Sequence, residues 1–407
     1  PSDRRPPVVI PSGCAMRIAV LTDDRVGSVM AGSAIRAFEM AKALAAAGHA
    51  VRLAAAPGSH TLEGDEHLLV EPTPWRWPNA VVSPAWSLPP RAFFGRHLLI
   101  ADGVTPLLAE LAELPSTADV VHRRRTAAAR LPLVAARADS ILVAGPAQVE
   151  WWSRHVRRRF GTPFLNVPFG IPEDPRFDER DQIPDVPGDW AVVLWWGGVW
   201  PWLDLDTLLA ARARLGAVPL SVVVPTAPRP GTEAAPFSAA DLDAAAQKHG
   251  LVPPQVVALD RWVPYHRRHR VLNRASLIAV LHRPSDEATL SFRTRALDGV
   301  WAGVPLLLTE GGEVARLARK HGWGGLVPPG DVEATAAAMQ LLLGEREQLR
   351  VRSAIATSRD EWRWSRVVEP LLDTLPTLPA AHRSSLAGAL IDSARALLVP
   401  PGSEVWR

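Results

Sequence analysis

The sequence predicts an α/β protein made of two doubly wound halves, and three observations lead there. Short apolar runs of strand length alternate with amphipathic helical periods in both halves, and several of the runs stop at Asp or Gly, where a buried strand meets a polar loop. A polar, proline-broken stretch, 172–189 (PEDPRFDERDQIPDVPGD), separates the two series. The chain of 407 residues is long enough for two or three domains at ~100–200 residues each.

In the first half, Arg17 to Thr22 (RIAVLT) is a buried strand that stops at Asp23-Asp24. A loop with Gly27 and Gly32 follows. Ser33 then caps a helix with Ile35, Phe38, Ala41 and Leu44 on one face, and Gly48 ends it. Ala50 to Ala56 is the next strand. This strand–loop–helix–strand unit opens a doubly wound domain. Residues 57–97 are rich in Pro, Trp and Gly and read as a long surface excursion. Leu98 to Ile100 is a strand ending at Asp102-Gly103. Thr105 to Leu114 is a helix, Ser140 to Ala144 a strand and Pro146 to Arg159 a helix. Asn166 to Ile171 (NVPFGI) closes the half.

The second half alternates more cleanly. Strands are expected at Trp190–Trp196, Pro219–Val224, Gln255–Asp260, Ser276–Leu281 and Leu306–Thr309. Helices are expected at Leu205–Leu215, Leu242–His249, Thr294–Ala302, Val314–His321 and, capped by Asp331, Val332–Leu343. The resulting division is a flexible leader at 1–15, a first domain at 16–171, a linker at 172–189 and a second domain at 190–358. Helices fill 359–407, the first returning to the first domain, and Ala380–Leu398 is a further helix for packing or self-association.

Composition narrows the function. Basic residues number 45 and acidic ones 42, for a net charge of +3. The only lysines are Lys42, Lys248 and Lys320, so the basicity is arginine on a background rich in Ala and Pro. That pattern reflects a GC-rich genome rather than a nucleic-acid partner. Cys14 is the only cysteine, which excludes an intrachain disulfide and a cysteine metal cluster and fits a cytoplasmic protein. Residues 1–15 lack the apolar core of a signal peptide. The longest clean apolar run, Val300 to Thr309, falls well short of the ~18 residues of a membrane helix. Arg154 to Arg159 is read as a solvated helix face, with contact to anionic lipid the alternative.

Parallel sheets of this kind carry ligands outside the carboxyl ends of their strands, and the candidate residues are those at such ends. In WWGGVWPW (Trp195 to Trp202), Gly197 and Gly198 follow a strand and precede a helix. They make either a plain βα turn or a place where backbone approaches a phosphate. In DEATLSFRTRALDGVWAGVP (Asp286 to Pro305), Ser291, Phe292, Arg293, Thr294 and Arg295 lead into a helix. Arg293 and Arg295 can neutralise a diphosphate, and Asp298, one turn on, can accept two ribose hydroxyls; the alternative is an Arg–Asp surface network. Gly311-Gly312-Glu313 is a further backbone anion site or a plain turn. Tyr265, in WVPY after another strand end, walls a base pocket or is simply buried. In the first half, Asp23, Gly32, Arg36, Asp102 and His122 are the candidates for the opposing wall. His122 lies in the charge run HRRR, and Trp75, Trp77 and Trp86 stack on a sugar or pack on the domain. Asp204 and Asp206 read as helix capping. There is no HExxH, no P-loop and no GxSxG, and neither metal nor cofactor is expected.

As a set, these segments resemble the GT-B glycosyltransferases, and within them the retaining family 4 group, over most of residues 16–370. Met30 to Val51 looks like the family's acceptor-domain segment and NVPFGI like its interdomain crossover. Ala296 to Gly312 (ALDGVWAGVPLLLTEGG) looks like its donor segment, and Val327 to Asp331 (VPPGD) is also typical. WWGG and SFRTR are similar to a looser subgroup of actinobacterial type. The resemblance implies two Rossmann-like domains facing across a cleft. It also implies transfer of a sugar, with retention, from a nucleotide-sugar of UDP, GDP or dTDP type to a small-molecule or glycan acceptor. In that family Asp298 matches the ribose-holding acid. The first acid of the family's E-x7-E pair falls at Leu290, with Glu287 three residues earlier. The family's diphosphate-gripping Arg and Lys fall at Gly198 and Trp202. On this reading Asp102, His122 and Glu287 are catalytic, and Arg293, Arg295 and the Gly197–Gly198 loop hold the diphosphate. Asp23, Gly32 and Arg36 serve the acceptor. A degenerate relative that binds a nucleotide or a partner without turnover is the alternative, as is one that couples a nucleotide-activated non-sugar ring.

Overall fold

The computed structural model describes residues 15–70, 76–155, 162–174, 176–177, 179–228 and 237–378, and beyond them 389–391, 393–394 and 397. Residues 1–14 of the expected leader, Trp75, residues 156–159 of the arginine-rich segment and most of the expected helix at Ala380–Leu398 lie outside the described residues. The chain forms two compact units. One takes in the chain up to Gly27, Ser33–Pro168 and the chain from Trp364 onward; the other takes in Ser28–Gly32 and Phe169–Arg363.

The first unit is built on seven strands: β1 (Arg17–Leu21), β2 (Ala50–Ala54), β3 (Leu69–Val70), β4 (Ala80–Pro84), β5 (Leu98–Asp102), β6 (Ser140–Val143) and β7 (Phe164–Asn166). Their order is β3-β2-β1-β4-β5-β6-β7, and every pairing is parallel. A parallel sheet is covered on both faces, so its central strands read as continuous apolar runs. Accordingly Ile18, Ala80, Val81, Leu99, Ile100 and Ile141 are wholly buried.

One expectation needs correction here, and one long helix was not expected. Residues 57–97 are not only a surface excursion: they hold β3, β4 and the helix Pro90–Phe94, and β4 lies directly beside β1. Its run AVVSP is five residues long and bounded by Asn79 and Pro84, too short to stand out among the surrounding prolines and tryptophans. Secondly, the HRRR run lies in a twenty-residue helix, Ala118–Arg137, which Thr117 caps by accepting from the Val120 N–H at 3.3 Å. His122 and Arg123 are exposed on it and Arg124 and Arg125 half-buried, whereas Arg137 at its end is buried; Ala127, Leu131, Val134 and Ala135 pack on the sheet with Trp86 and Trp152. Pro132 within it masks the helical period.

The second unit has six strands: β8 (Ala191–Trp195), β9 (Leu220–Pro225), β10 (Val256–Leu259), β11 (Leu277–Val280), β12 (Leu306–Thr309) and β13 (Gly324–Val327). Their order is β10-β9-β8-β11-β12-β13, again with every pairing parallel. β13 was not expected, because two glycines open it. A Cβ on Gly324 would lie 1.9 Å from the Leu306 carbonyl oxygen, so close packing on β12 requires glycine there. The stretch 172–189 packs on this unit: Trp301 Nε1 donates to the Asp174 carbonyl at 3.0 Å, and Arg274 Nη2 donates to those of Pro187 and Trp190.

Both sheets reverse their winding once, between β1 and β4 and between β8 and β11. At such a reversal the two crossover helices leave toward opposite faces and open a crevice at the carboxyl ends of the strands. These two places are where candidate side chains matter.

Candidate functional site

At the reversal in the second unit, β8 ends at Trp195 and the chain turns through Trp196-Gly197-Gly198. Gly197 has a φ of +94°. A Cβ on it would sit 3.2 Å from the guanidinium carbon of Arg295, so the loop needs glycine for both conformation and space. Arg295 Nη1 donates to the Gly198 carbonyl at 3.0 Å. Trp200 and Trp202 then stack with ring centroids 5.4 Å apart. Asp204 caps the next helix by accepting from the Thr207 N–H, as read from the sequence.

Beyond β11, the His282 N–H donates to Thr309 Oγ1 at 3.1 Å, tying that strand end to β12. Ser285 caps the short helix Asp286–Leu290, whose Glu287 is only 2% exposed. His282 Nε2 faces Glu287 Oε2 at 3.6 Å, beyond hydrogen-bonding distance. The Ser291 N–H donates to the Glu287 carbonyl, and Phe292 is buried near Trp362. Arg293 is also 2% exposed. Its Nη1 donates to the Thr309 carbonyl at 2.5 Å and its Nη2 to that of Ala288 at 3.3 Å, so its guanidinium braces the loop. Thr294 begins the helix Thr294–Ala302, which carries Arg295 and Asp298 on successive turns.

Asp298 accepts from Trp196 Nε1 on one oxygen at 2.8 Å and from Arg268 Nε on the other at 3.1 Å. Arg268 is itself buried. It donates to the Tyr265 carbonyl at 2.8 Å and lies over the rings of Tyr265 and Trp301, at 3.7 and 4.4 Å from their centroids. Trp196, next to the glycine loop that Arg295 touches, and Arg268, beside Tyr265, thus join these residues through Asp298.

The region is cationic, and Arg293, Glu287 and His282 are buried in it. Burial lowers Arg293 and Arg295 to about 10, with Glu287 pulling each the other way. Burial, and then the charges of Arg293 and Arg295, hold His282 well below the ordinary imidazole range, so it is neutral at pH 7. Among the described residues no group of His, Cys, Asp and Glu could hold a metal ion.

The first unit differs. Asp102, at the end of β5, pairs with Arg36 Nε at 2.6 Å and accepts from the Val104 N–H. Arg36 also donates to the Val167 and Pro168 carbonyls at 2.9 and 2.8 Å and lies 5.9 Å from the Trp364 ring centroid. Asp23 is exposed after β1. Gly32 opens the helix Gly32–Ala46 with free space where a Cβ would lie. Asp24 accepts from Ser33 Oγ. His122 lies on an exposed face of its helix, not at a strand end. Trp86 is buried and stacks with Trp152 at 5.4 Å.

Sequence reasoning missed Trp196, Arg268 and His282. Trp196 and His282 each lie just past a strand end, which was signal enough. Arg268 belongs to YHRRHR (265–270), which reads as a solvated run.

No protein-family model matches the sequence, and no curated protein matches it. Solved structures do match in fold. Sucrose-phosphate synthase from Thermosynechococcus elongatus superposes with a TM-score of 0.66 at 17% identity, covering 89% of this chain and 99% of that one. Anabaena HepE, in complex with UDP and glucose, gives 0.66 at 15%, covering 89% and 100%. WaaG, a glycosyltransferase involved in lipopolysaccharide biosynthesis, gives 0.61 at 15%, covering 88% and 99%. The fold is therefore the GT-B type that the resemblance implied, two Rossmann-like α/β units shared with glycosyltransferases.

Proposed function

We propose that this protein is a glycosyltransferase that moves a sugar from a UDP-sugar to a small-molecule or glycan acceptor, with retention of anomeric configuration. One observation carries the reading. At the reversal between β8 and β11, a half-buried arginine, Arg295, lies against a glycine loop, and Asp298 follows one turn later on the same helix. A diphosphate needs the cation and the close backbone; a ribose needs the carboxylate. A carboxylate has about four acceptor positions. Trp196 and Arg268 each occupy one, on different oxygens, which leaves Asp298 one on each for a vicinal diol. The choice of UDP is supported by HepE, whose complexes contain UDP and UDP-glucose.

In this reading Arg295 stabilises the charge that develops on the leaving diphosphate, and Glu287 faces the donor sugar. Arg293 holds the loop between them rather than the phosphate, because its guanidinium already serves two carbonyls. Preorganised cations of this kind supply the main electrostatic contribution to catalysis. The acceptor oxygen bonds to the anomeric carbon as the bond from that carbon to the phosphate oxygen breaks. The acceptor's proton passes to the departing phosphate, so no protein nucleophile is needed. Asp23 and Gly32 serve the acceptor, with Arg36 and Asp102 as the frame behind them; His122 receives no step. A cytoplasmic location fits a chain whose only cysteine is Cys14. Among the described residues no helix is long and apolar enough to cross a membrane.

The same site favours a second reading. Gly198 and Trp202 stand where the resemblance places two phosphate-gripping cations, and a chain that binds nucleotide without turnover would tolerate that loss. Thermal shift with UDP, GDP, dTDP, ADP and CDP tests the donor site, since a ligand that prefers the folded state raises Tm. UDP should stand out; no shift with any of the five would overturn both readings. Release of UDP from UDP-glucose then separates them: turnover supports the transferase, and binding without release supports the second reading.

A further inference from the structure

The second unit holds a cleft that the donor site does not use. It is an open cleft of about 650 Å³, lined by Arg176, Phe177 and Glu179 from one segment and by His266, Arg267, His269 and Arg270 from another. That volume is in the range of small-molecule sites, ~300–1,000 Å³. The walls come from segments far apart in sequence and are held at a set spacing. Asn273 Nδ2 donates to the Arg176 and Glu179 carbonyls at 2.9 and 3.0 Å, and the Asp181 N–H donates to the Arg270 carbonyl. Arg270 is committed to the wall, paired with Glu179 and, at 3.6 Å, with Asp181.

What remains facing the cleft is cationic and aromatic. Arg176 and Arg267, from the two segments, are both exposed and line the cleft, with His266 next to Arg267 in sequence. Phe177 is 48% exposed, and Arg359 lies over its ring at 5.0 Å. Two exposed guanidiniums lining one cleft suit phosphoryl oxygens, because each presents parallel N–H donors in a fixed fork. The ring offers an apolar face to whatever carries that group. This is not the donor site. Arg268, between Arg267 and His269, points instead to Asp298 and is covered by the Tyr265 and Trp301 rings.

We propose that this cleft binds a phosphate-bearing ligand, separately from the nucleotide. Arg176 and Arg267 hold the phosphoryl group, and Phe177 packs on the body that carries it. A free sugar phosphate and a phospholipid headgroup present the same chemistry, and the test separates them.

The probes are inorganic phosphate, glucose 6-phosphate and phosphatidylglycerol vesicles. Each is titrated into the full chain saturated with UDP, and into the chain without UDP. Calorimetry reads the soluble probes and co-sedimentation the vesicles. Glucose 6-phosphate should bind with UDP present, and Arg176→Ser with Arg267→Ser together should weaken it at least tenfold. Melting temperature and UDP affinity should stay unchanged in that double variant, since both side chains are exposed. Phe177→Ala should weaken glucose 6-phosphate more than inorganic phosphate. Vesicle binding lost in the double variant, without glucose 6-phosphate binding, assigns the cleft to a headgroup. Displacement of every probe by UDP, or binding that survives the double variant, overturns the proposal. Loss of UDP binding in Arg295→Ala while glucose 6-phosphate still binds shows the two sites are independent, so failure of the proposed function would leave this cleft standing.

Discussion

The two strand-end regions carry similar residues and use them differently. In the first unit Asp102 and Arg36 form a closed set: the arginine serves one carboxylate and two carbonyls, and it is 6% exposed. In the second unit Asp298 and Arg295 are open. Asp298 keeps acceptor positions, and Arg295 makes one hydrogen bond to a glycine carbonyl. An arginine and an aspartate brought together near strand ends are therefore not by themselves a ligand site. What counts is how much hydrogen-bonding capacity the fold has already consumed.

The strongest break of this contrast is Arg36→Ala. It strands a carboxylate and two carbonyls and should cost about 3–5 kcal/mol of stability. Urea unfolding checks it, and an unmoved midpoint would remove Arg36 from the frame. Arg295→Ala should do the reverse, leaving unfolding nearly unchanged while UDP affinity falls. Losing a hydrogen bond to a charged group, worth about 1.5–3 kcal/mol, means roughly 10–100-fold. Uridine binding should hold; an equal loss for uridine would take Arg295 off the diphosphate.

Asp298→Asn sharpens the comparison less, by about tenfold in UDP affinity. Its signature is the loss of preference for UDP over 2′-deoxy-UDP; a retained preference would place the ribose elsewhere. The smallest effect concerns His282. Its folded pKa lies below its unfolded value of 6.5, so the unfolded chain binds the extra proton. Stability is then fully present above about pH 6.5 and declines as pH falls below it, by up to ~1.4 kcal/mol per unit. His282→Gln should flatten the decline; an unchanged slope would assign it to other groups.

Legibility followed local contrast. β1, β5 and β12 are apolar runs that stop at Asp or Thr before a polar turn, and their ends were readable from the residues alone. β4 and the helix Ala118–Arg137 were not. The first is five residues inside a stretch punctuated by proline, and the second carries a run of arginines and an internal proline that blur its apolar period. Gly197, Gly198, Arg295 and Asp298 were legible because a strand end before a glycine turn or a helix start is a local pattern. The division of labour between Arg293 and Arg295 was not. They are two residues apart, both cationic and both beside the same strand end, yet one braces carbonyls of the Thr309 and Ala288 backbone while the other lies against the glycine loop.

The sequence by itself determined the alternation of strands and helices, the two doubly wound halves and the strand ends at which charged residues gather. These are properties of hydrophobic period and chain stiffness, and they act over a few residues. Only the tertiary structure decided which of those charges the fold consumes. That depends on carbonyls and rings brought in from remote segments: Val167 and Pro168 onto Arg36, and Trp301 over Arg268. A guanidinium in water costs nothing to leave unpaired, but a buried one must find its partners wherever packing puts them.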